Sequence, residues 1–245
     1  MDVLRDCGVE RPRNVHDGET NQRDVVPNTY DTTNLWGPSE FDARHMLVFN
    51  YLYDLPFFKD KTKLTGKILG GWQISGVTQF QTGLPCGVAG GSDYAGVGLD
   101  SNFGCGVNGQ YWNVNGDPKI IGTFGSSGQW FATTNPDGSP IFTKPAPGTF
   151  STQKVRNIIY QPGYQNWNLG LFKAFPITEN IGFQFRAEAF NFINHPNWCG
   201  GSGCSGTTNI GLNPDNLATF GKVLTKGGGV AGGERNLQLS LRFYF

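Results

Sequence analysis

The stretch Arg235-Asn-Leu-Gln-Leu-Ser-Leu-Arg-Phe-Tyr-Phe245 decides how this chain is read. In an extended strand Leu237, Leu239, Leu241, Phe243 and Phe245 fall on one face, and Asn236, Gln238, Ser240, Arg242 and Tyr244 fall on the other. A half-buried strand of a soluble sandwich would alternate in the same way, so this segment alone leaves the solvent of its apolar face open. Its length, however, suits a strand that crosses a bilayer at a tilt, which takes about 9–11 residues.

Four more segments carry the same period. Over 41–57 the odd positions include Phe41, Leu47, Phe49, Tyr51 and Tyr53, against Asp42, Arg44, Asn50 and Asp54. Over 68–81 Ile68, Trp72, Ile74 and Phe80 oppose Gln73, Ser75, Gln79 and Gln81, with Val77 as the exception. Trp167, Leu169, Leu171 and Phe175 oppose Asn166, Asn168 and Gly170; Ile181, Phe183, Phe185, Ala187 and Ala189 oppose Gln184, Arg186 and Glu188. The expected strands are therefore 41–57, 68–81, 164–175, 181–191 and 235–245, paired as an antiparallel meander. Ring side chains at strand ends, such as Tyr51, Tyr53, Trp72 and Trp167, match the aromatic girdles of outer-membrane barrels, and the polar face would then line a wet lumen.

The connections alternate in length. Residues 58–67 and 176–180 are short links, whereas 85–163 and 195–234 are long. In outer-membrane barrels short turns are periplasmic and long loops extracellular. Residues 1–40 then read as the remnant of one more outer loop.

Composition agrees with a strand-rich chain. Nineteen basic and nineteen acidic residues cancel, which removes the basic field an electrostatic nucleic-acid binder needs. Thirty-six glycines among 245 residues are about twice the usual share of ~7%, which disfavours helix. No apolar run approaches the ~18 residues of a membrane-spanning helix. The first residues, Met1-Asp-Val-Leu-Arg-Asp-Cys7, do not have the basic-then-apolar form of a secretory signal.

Chemistry-bearing clusters are sparse. His16, His45 and His195 are far apart, with no paired-histidine metal spacing, and no carboxylate pair is placed for hydrolysis. The expectation is no enzyme activity, no metal and no cofactor. Asp42 with Arg44, and Arg186 with Glu188, are two residues apart on expected strands and read as lumen-facing ion pairs. Asp93 and Asp100 lie in a Gly-rich stretch that could offer oxygen ligands to calcium, but without EF-hand spacing it reads as a plain loop. Gly227 to Gly233 reads as loop in the same way. Trp112, Trp130, Trp198, Tyr111 and Tyr164 lie in or beside the long loops, available for stacking on a ligand or for loop packing. The five cysteines form no zinc pattern; Cys199 with Cys204, and Cys86 with Cys105, each lie within one loop and are candidate disulfides of an oxidising compartment, leaving Cys7 over.

An ordered set of motifs resembles a known family. Phe41-Asp-Ala-Arg-His45, Asp54-Leu-Pro-Phe57, Gly70-Gly-Trp-Gln-Ile-Ser-Gly76, Thr82-Gly-Leu-Pro85, Asn168-Leu-Gly-Leu-Phe-Lys173 and Phe185-Arg-Ala-Glu-Ala-Phe-Asn-Phe-Ile-Asn-His-Pro196, with Phe220-Gly221, Arg235 and Phe245, are similar to the C-terminal barrel of Oar-like TonB-dependent outer-membrane receptors. Those receptors often carry a carboxypeptidase-regulatory-like domain at the amino end. One departure is Asn168, where the family usually has Asp. The resemblance implies a 22-stranded barrel around a plug, of which residues 41–245 are a C-terminal fragment without plug or signal peptide. It implies energised uptake of an extracellular ligand across the bacterial outer membrane. The implied partners are outer-membrane lipid, the TonB complex through an amino-terminal part, and the barrel-assembly machinery, to which Phe245 would be the carboxyl-terminal aromatic signal. The rival reading is a secreted all-β carbohydrate-binding module, and a requirement for detergent separates the two.

Overall fold

A computed structural model of the chain describes residues 28, 30–31, 37–38, 42–57, 64–90, 92–97, 101–102, 108–179, 181–198, 210–224, 226 and 233–245. The chain divides into two compact units. Unit 1 comprises residues 1–44, 82–163 and 198–226; unit 2 comprises 45–81, 164–197 and 227–245.

Unit 2 is one antiparallel sheet of five strands, β1 (Met46–Asp54), β2 (Trp72–Gln81), β3 (Tyr164–Pro176), β4 (Gly182–Phe190) and β5 (Asn236–Tyr244). They pair in sequence order, as the meander predicts, and among the described residues of that unit there is no second sheet. The register carries the alternation across every seam. Tyr53, Ile74, Leu171, Ala187 and Leu239 form one cross-strand row, and Leu52, Ser75, Gly170, Glu188 and Gln238 form the next on the opposite face. Because side chains alternate with period two, a one-residue slip at any seam would mix the two faces.

Three expectations need correction here. Ile68 does not open a strand: Leu64–Leu69 is a short helix, α1, and β2 begins at Trp72. Leu64 and Ile68 are one helical turn apart, and Gly71, at φ 73, breaks the chain out of the helix before the strand starts. Asp42 and Arg44 are not on a strand, because β1 begins at Met46; they belong to unit 1. The long connection 85–163 is not simply a loop, since it folds around a core.

That core, rather than the sheet, holds nearly all the buried apolar side chains among the described residues. Val88, Phe131, Ile141, Ile159, Leu212 and Val223 are almost wholly enclosed in unit 1, with Trp112 and Trp130 beside them. Phe131, Phe142 and Phe220 meet edge to face at centroid distances of 5.5 to 6.0 Å, the geometry ring quadrupoles favour. Short ladders tie the unit together: Pro85–Cys86 with Ile159–Tyr160, Ala89–Gly90 with Asn108–Tyr111, and Asn113–Val114 with Phe142–Thr143. Cys86 is fully buried and disulfide-bonded; Cys105, Cys199, Cys204 and Cys7 lie outside the described residues.

Candidate functional site

The sheet presents two chemically distinct faces, and the apolar one is uncovered in unit 2. Leu47 and Phe49 on β1, and Leu237, Leu239, Leu241 and Phe243 on β5, are exposed, the last four by 54 to 72%. A water-soluble sheet hides such a face under a second layer, and contiguous apolar patches beyond a few hundred Å² mark an interaction surface. Unit 1 can bury its rings and aliphatic side chains, so the exposure on the sheet is not a failure of this chain to make a core. Lipid is the solvent that fits the face.

Rings mark both ends of that face. At the end with the short connections Phe175 stacks on Phe183 at 4.6 Å, Phe183 lies 6.0 Å from Phe243, and Trp72 meets Phe185 edge-on at 6.0 Å. At the other end Phe80 meets Trp167 edge-on at 5.6 Å. Between these bands the strands are long enough to span: nine to thirteen residues each.

One charge lies on the apolar face. Lys173 is directly opposite Trp72 and Phe185 in the register, yet only 3% exposed. Its Nζ donates to the carbonyl of Ile68 at 2.8 Å and to that of Gly70, and it lies 5.5 Å from the Trp72 ring centre and 4.8 Å from that of Phe175. Cations are favoured at the carboxyl end of a helix and over aromatic faces, which is how this position tolerates a lysine. Lys173 ends the Asn168–Lys173 motif, and nothing in the sequence pattern signals this role.

The polar face carries Gln73, Ser75, Asn168, Gln184, Arg186, Glu188 and Arg242, with a shallow groove lined by Ser75, Val77, Asn168, Gly170, Phe172 and Glu188. Arg186 and Glu188 share this face as expected, but they do not bond to each other. Arg186 Nε donates to Gln184 Oε1 at 3.1 Å and its guanidinium lies 5.4 Å from the Phe172 ring centre. Asp42 and Arg44 do pair, at 3.7 Å, and Arg44 also donates to the Tyr160 hydroxyl and covers its ring at 4.6 Å. In unit 1 this pair braces a tyrosine.

The turn after β4 explains why its motif contains two asparagines. Asn191 is fully buried at φ 50; its Nδ2 donates to the carbonyls of His195 at 2.9 Å and Gly233 at 3.3 Å, and its Oδ1 accepts from His195 N. Asn168 Oδ1 accepts from Asn191 N, and Asn194, at φ 54, accepts from Arg235 N. Asparagine tolerates left-handed φ and offers both donor and acceptor, so these side chains end β4 and set the start of β5.

In unit 1 the loop aromatics pack. Trp112 Nε1 donates to Tyr94, whose hydroxyl donates to Asp215 at 3.0 Å, and Trp130 Nε1 donates to the Tyr160 carbonyl at 2.7 Å. Phe124 is stacked between Trp130 at 5.2 Å and Trp198 at 4.7 Å. Asp93 holds its own turn, accepting from Gln110 Nε2 and Val97 N, while Asp100 lies outside the described residues. Among the described residues no group of three or more His, Cys, Asp or Glu could hold a metal ion.

A sheet with one lipid-compatible face, one polar face and aromatic bands at both ends defines a membrane β-sheet of outer-membrane type. Sequence comparison agrees: a family model described as an outer membrane beta barrel domain matches residues 13–238, and the chain belongs to that family. Its place is therefore the bacterial outer membrane. No curated protein and no solved structure matches the chain.

Proposed function

We propose that this chain is the barrel part of a TonB-dependent outer-membrane receptor of the Oar-like kind, which captures a ligand outside the cell and takes it up with energy supplied through TonB. The observation that carries the reading is the division of labour between the units: an apolar sheet face left to lipid, and a separately cored unit built from the long connections, a suitable platform for a ligand. The ordered motifs over 41–245 support the finer assignment.

The sheet's edges bear on size. β1 pairs only with β2, and β5 only with β4, among the described strands. Each backbone group left unpaired in hydrocarbon costs several kcal/mol, so both edges require further strands, and a 22-stranded wall around a plug supplies them. The polar face and its groove then meet that plug, and Phe245, fully exposed beyond β5, is the signal offered to the barrel-assembly machinery.

The test uses cells that express the complete receptor with an epitope inserted at the exposed Pro136-Asp-Gly138 turn of unit 1. Antibody should label intact cells, and the detergent-purified receptor should bind the periplasmic domain of TonB. Labelling only after permeabilisation overturns the outward orientation; absence of TonB binding overturns the receptor class.

A further inference from the structure

We propose that α1 is an interfacial element that seats the β1–β2 connection on an anionic phospholipid surface bordering the sheet's apolar face. This rests on the reading of that face as lipid-facing. The helix is tied to that side of the sheet by two side chains of the apolar face: Lys173 Nζ donates to the carbonyls of Ile68 and Gly70, and Trp72 Nε1 donates to Ile68 O at 3.3 Å. It also lies at the end of the sheet where Phe175, Phe183 and Phe243 form the aromatic band.

The side chains of α1 point the wrong way for water. Gly66 is its buried residue, whereas Leu64 is 72%, Ile68 51% and Leu69 50% exposed. A surface helix of a soluble protein turns its apolar positions inward. A helix of six residues also has little stability of its own in water, so its position depends on what it touches on both sides. The sheet supplies one side through Lys173 and Trp72; an apolar, non-aqueous neighbour fits the other.

Charge selects the kind of surface. Lys67 lies on the helix, and the chain entering it reads Lys59-Asp-Lys-Thr-Lys63, so residues 59–67 carry four lysines against one aspartate. Apolar side chains combined with lysines are the composition of elements that lie in the headgroup region of anionic membranes. The chemistry recognised is the phosphate of an anionic phospholipid beside the first carbons of its acyl chains.

The experiment places photoreactive benzoylphenylalanine in the complete receptor at Leu64, Ile68, Leu241 or Ser240, one at a time, reconstituted in vesicles of phosphatidylcholine with or without phosphatidylglycerol. Lipid adducts are read by mass. Adducts are expected at Leu64, Ile68 and Leu241 and not at Ser240, with those at Leu64 and Ile68 rising about threefold or more with the anionic lipid and falling in Lys67→Glu. Adducts at Leu241 with none on α1, or α1 adducts equal in both vesicle types, overturn the proposal and leave the membrane face standing. No adduct at Leu241 overturns both.

Discussion

The ring of Tyr51 lies over the bare backbone of Gly76, the residue directly opposite it across β1 and β2. A Cβ at position 76 would collide with that ring, whose hydroxyl lies 3.5 Å from Thr78 Oγ1. Tyr244 covers Gly182 in the same way across β4 and β5. A glycine inside a strand normally weakens it, and an aromatic ring laid over it restores packing and pins the register.

Gly76→Val should therefore push the Tyr51 ring off its seat and cost about 1–2 kcal/mol of sheet stability. Urea unfolding of the complete barrel refolded into vesicles measures it. With Tyr51→Ala already in place, the same change should cost clearly less, because the ring that collides has gone. Additive losses would show that the ring and the glycine are independent.

In the turn after β4, Asn191→Ala should be more damaging, by about 2–4 kcal/mol. It removes bonds to His195 and Gly233 and puts a Cβ residue without compensation at φ 50. Asn191→Gly keeps the backbone conformation and should recover part of the loss. If Ala and Gly behave alike, the side-chain bonds alone carry the effect and the backbone argument is wrong.

These two sites show where the sequence is legible. Period two locates all five strands within a few residues, because β2 to β5 keep the contrast between their faces and the register preserves it; on β1 the face opposite Leu47 and Phe49 also carries exposed Met46, Val48 and Leu52. Helix α1 was not legible: it spans six residues, and Ile68 continued the parity of Trp72 and Ile74 as if no turn intervened. Unit 1 is not legible as a folded unit because its ladders run two to four residues, too short for a period, while its core draws on Val88, Phe131, Ile159 and Phe220 from segments far apart in sequence. Nor does spacing reveal a bond such as Arg44 to Tyr160, whose partners are 116 positions apart.

Unit 1 should loosen in alkali. Burial, followed by the Asp215 carboxylate, raises the Tyr94 hydroxyl above its ordinary value of 10.0. A group with a raised folded-state pKa lends stability that is complete below the unfolded value and is lost as pH rises through the folded one. Near-UV circular dichroism of the unit-1 aromatics should therefore weaken above about pH 10. Tyr94→Phe should move that onset upward, although Tyr160, also raised by burial, will leave a remnant. An onset unchanged in Tyr94→Phe would remove Tyr94 from the transition.

The assignment of faces meets its sharpest test on β5. Leu239 is 72% exposed on the apolar face, and Gln238, beside it in sequence, is opposite Glu188 on the polar face. In water, replacing so exposed a leucine by arginine costs almost nothing. At the middle of a bilayer it costs about 2–4 kcal/mol, falling to about 0–1 near the interfaces. Leu239→Arg should thus impair assembly of the complete barrel, read as heat-modifiable migration in outer-membrane fractions. Phe243→Arg, nearer the aromatic band, should do less through charge alone. Gln238→Arg, which gains a carboxylate partner across the seam, should assemble normally. If Leu239→Arg and Gln238→Arg assemble equally well, the apolar face does not meet lipid; if both fail equally, the two faces are not in different solvents.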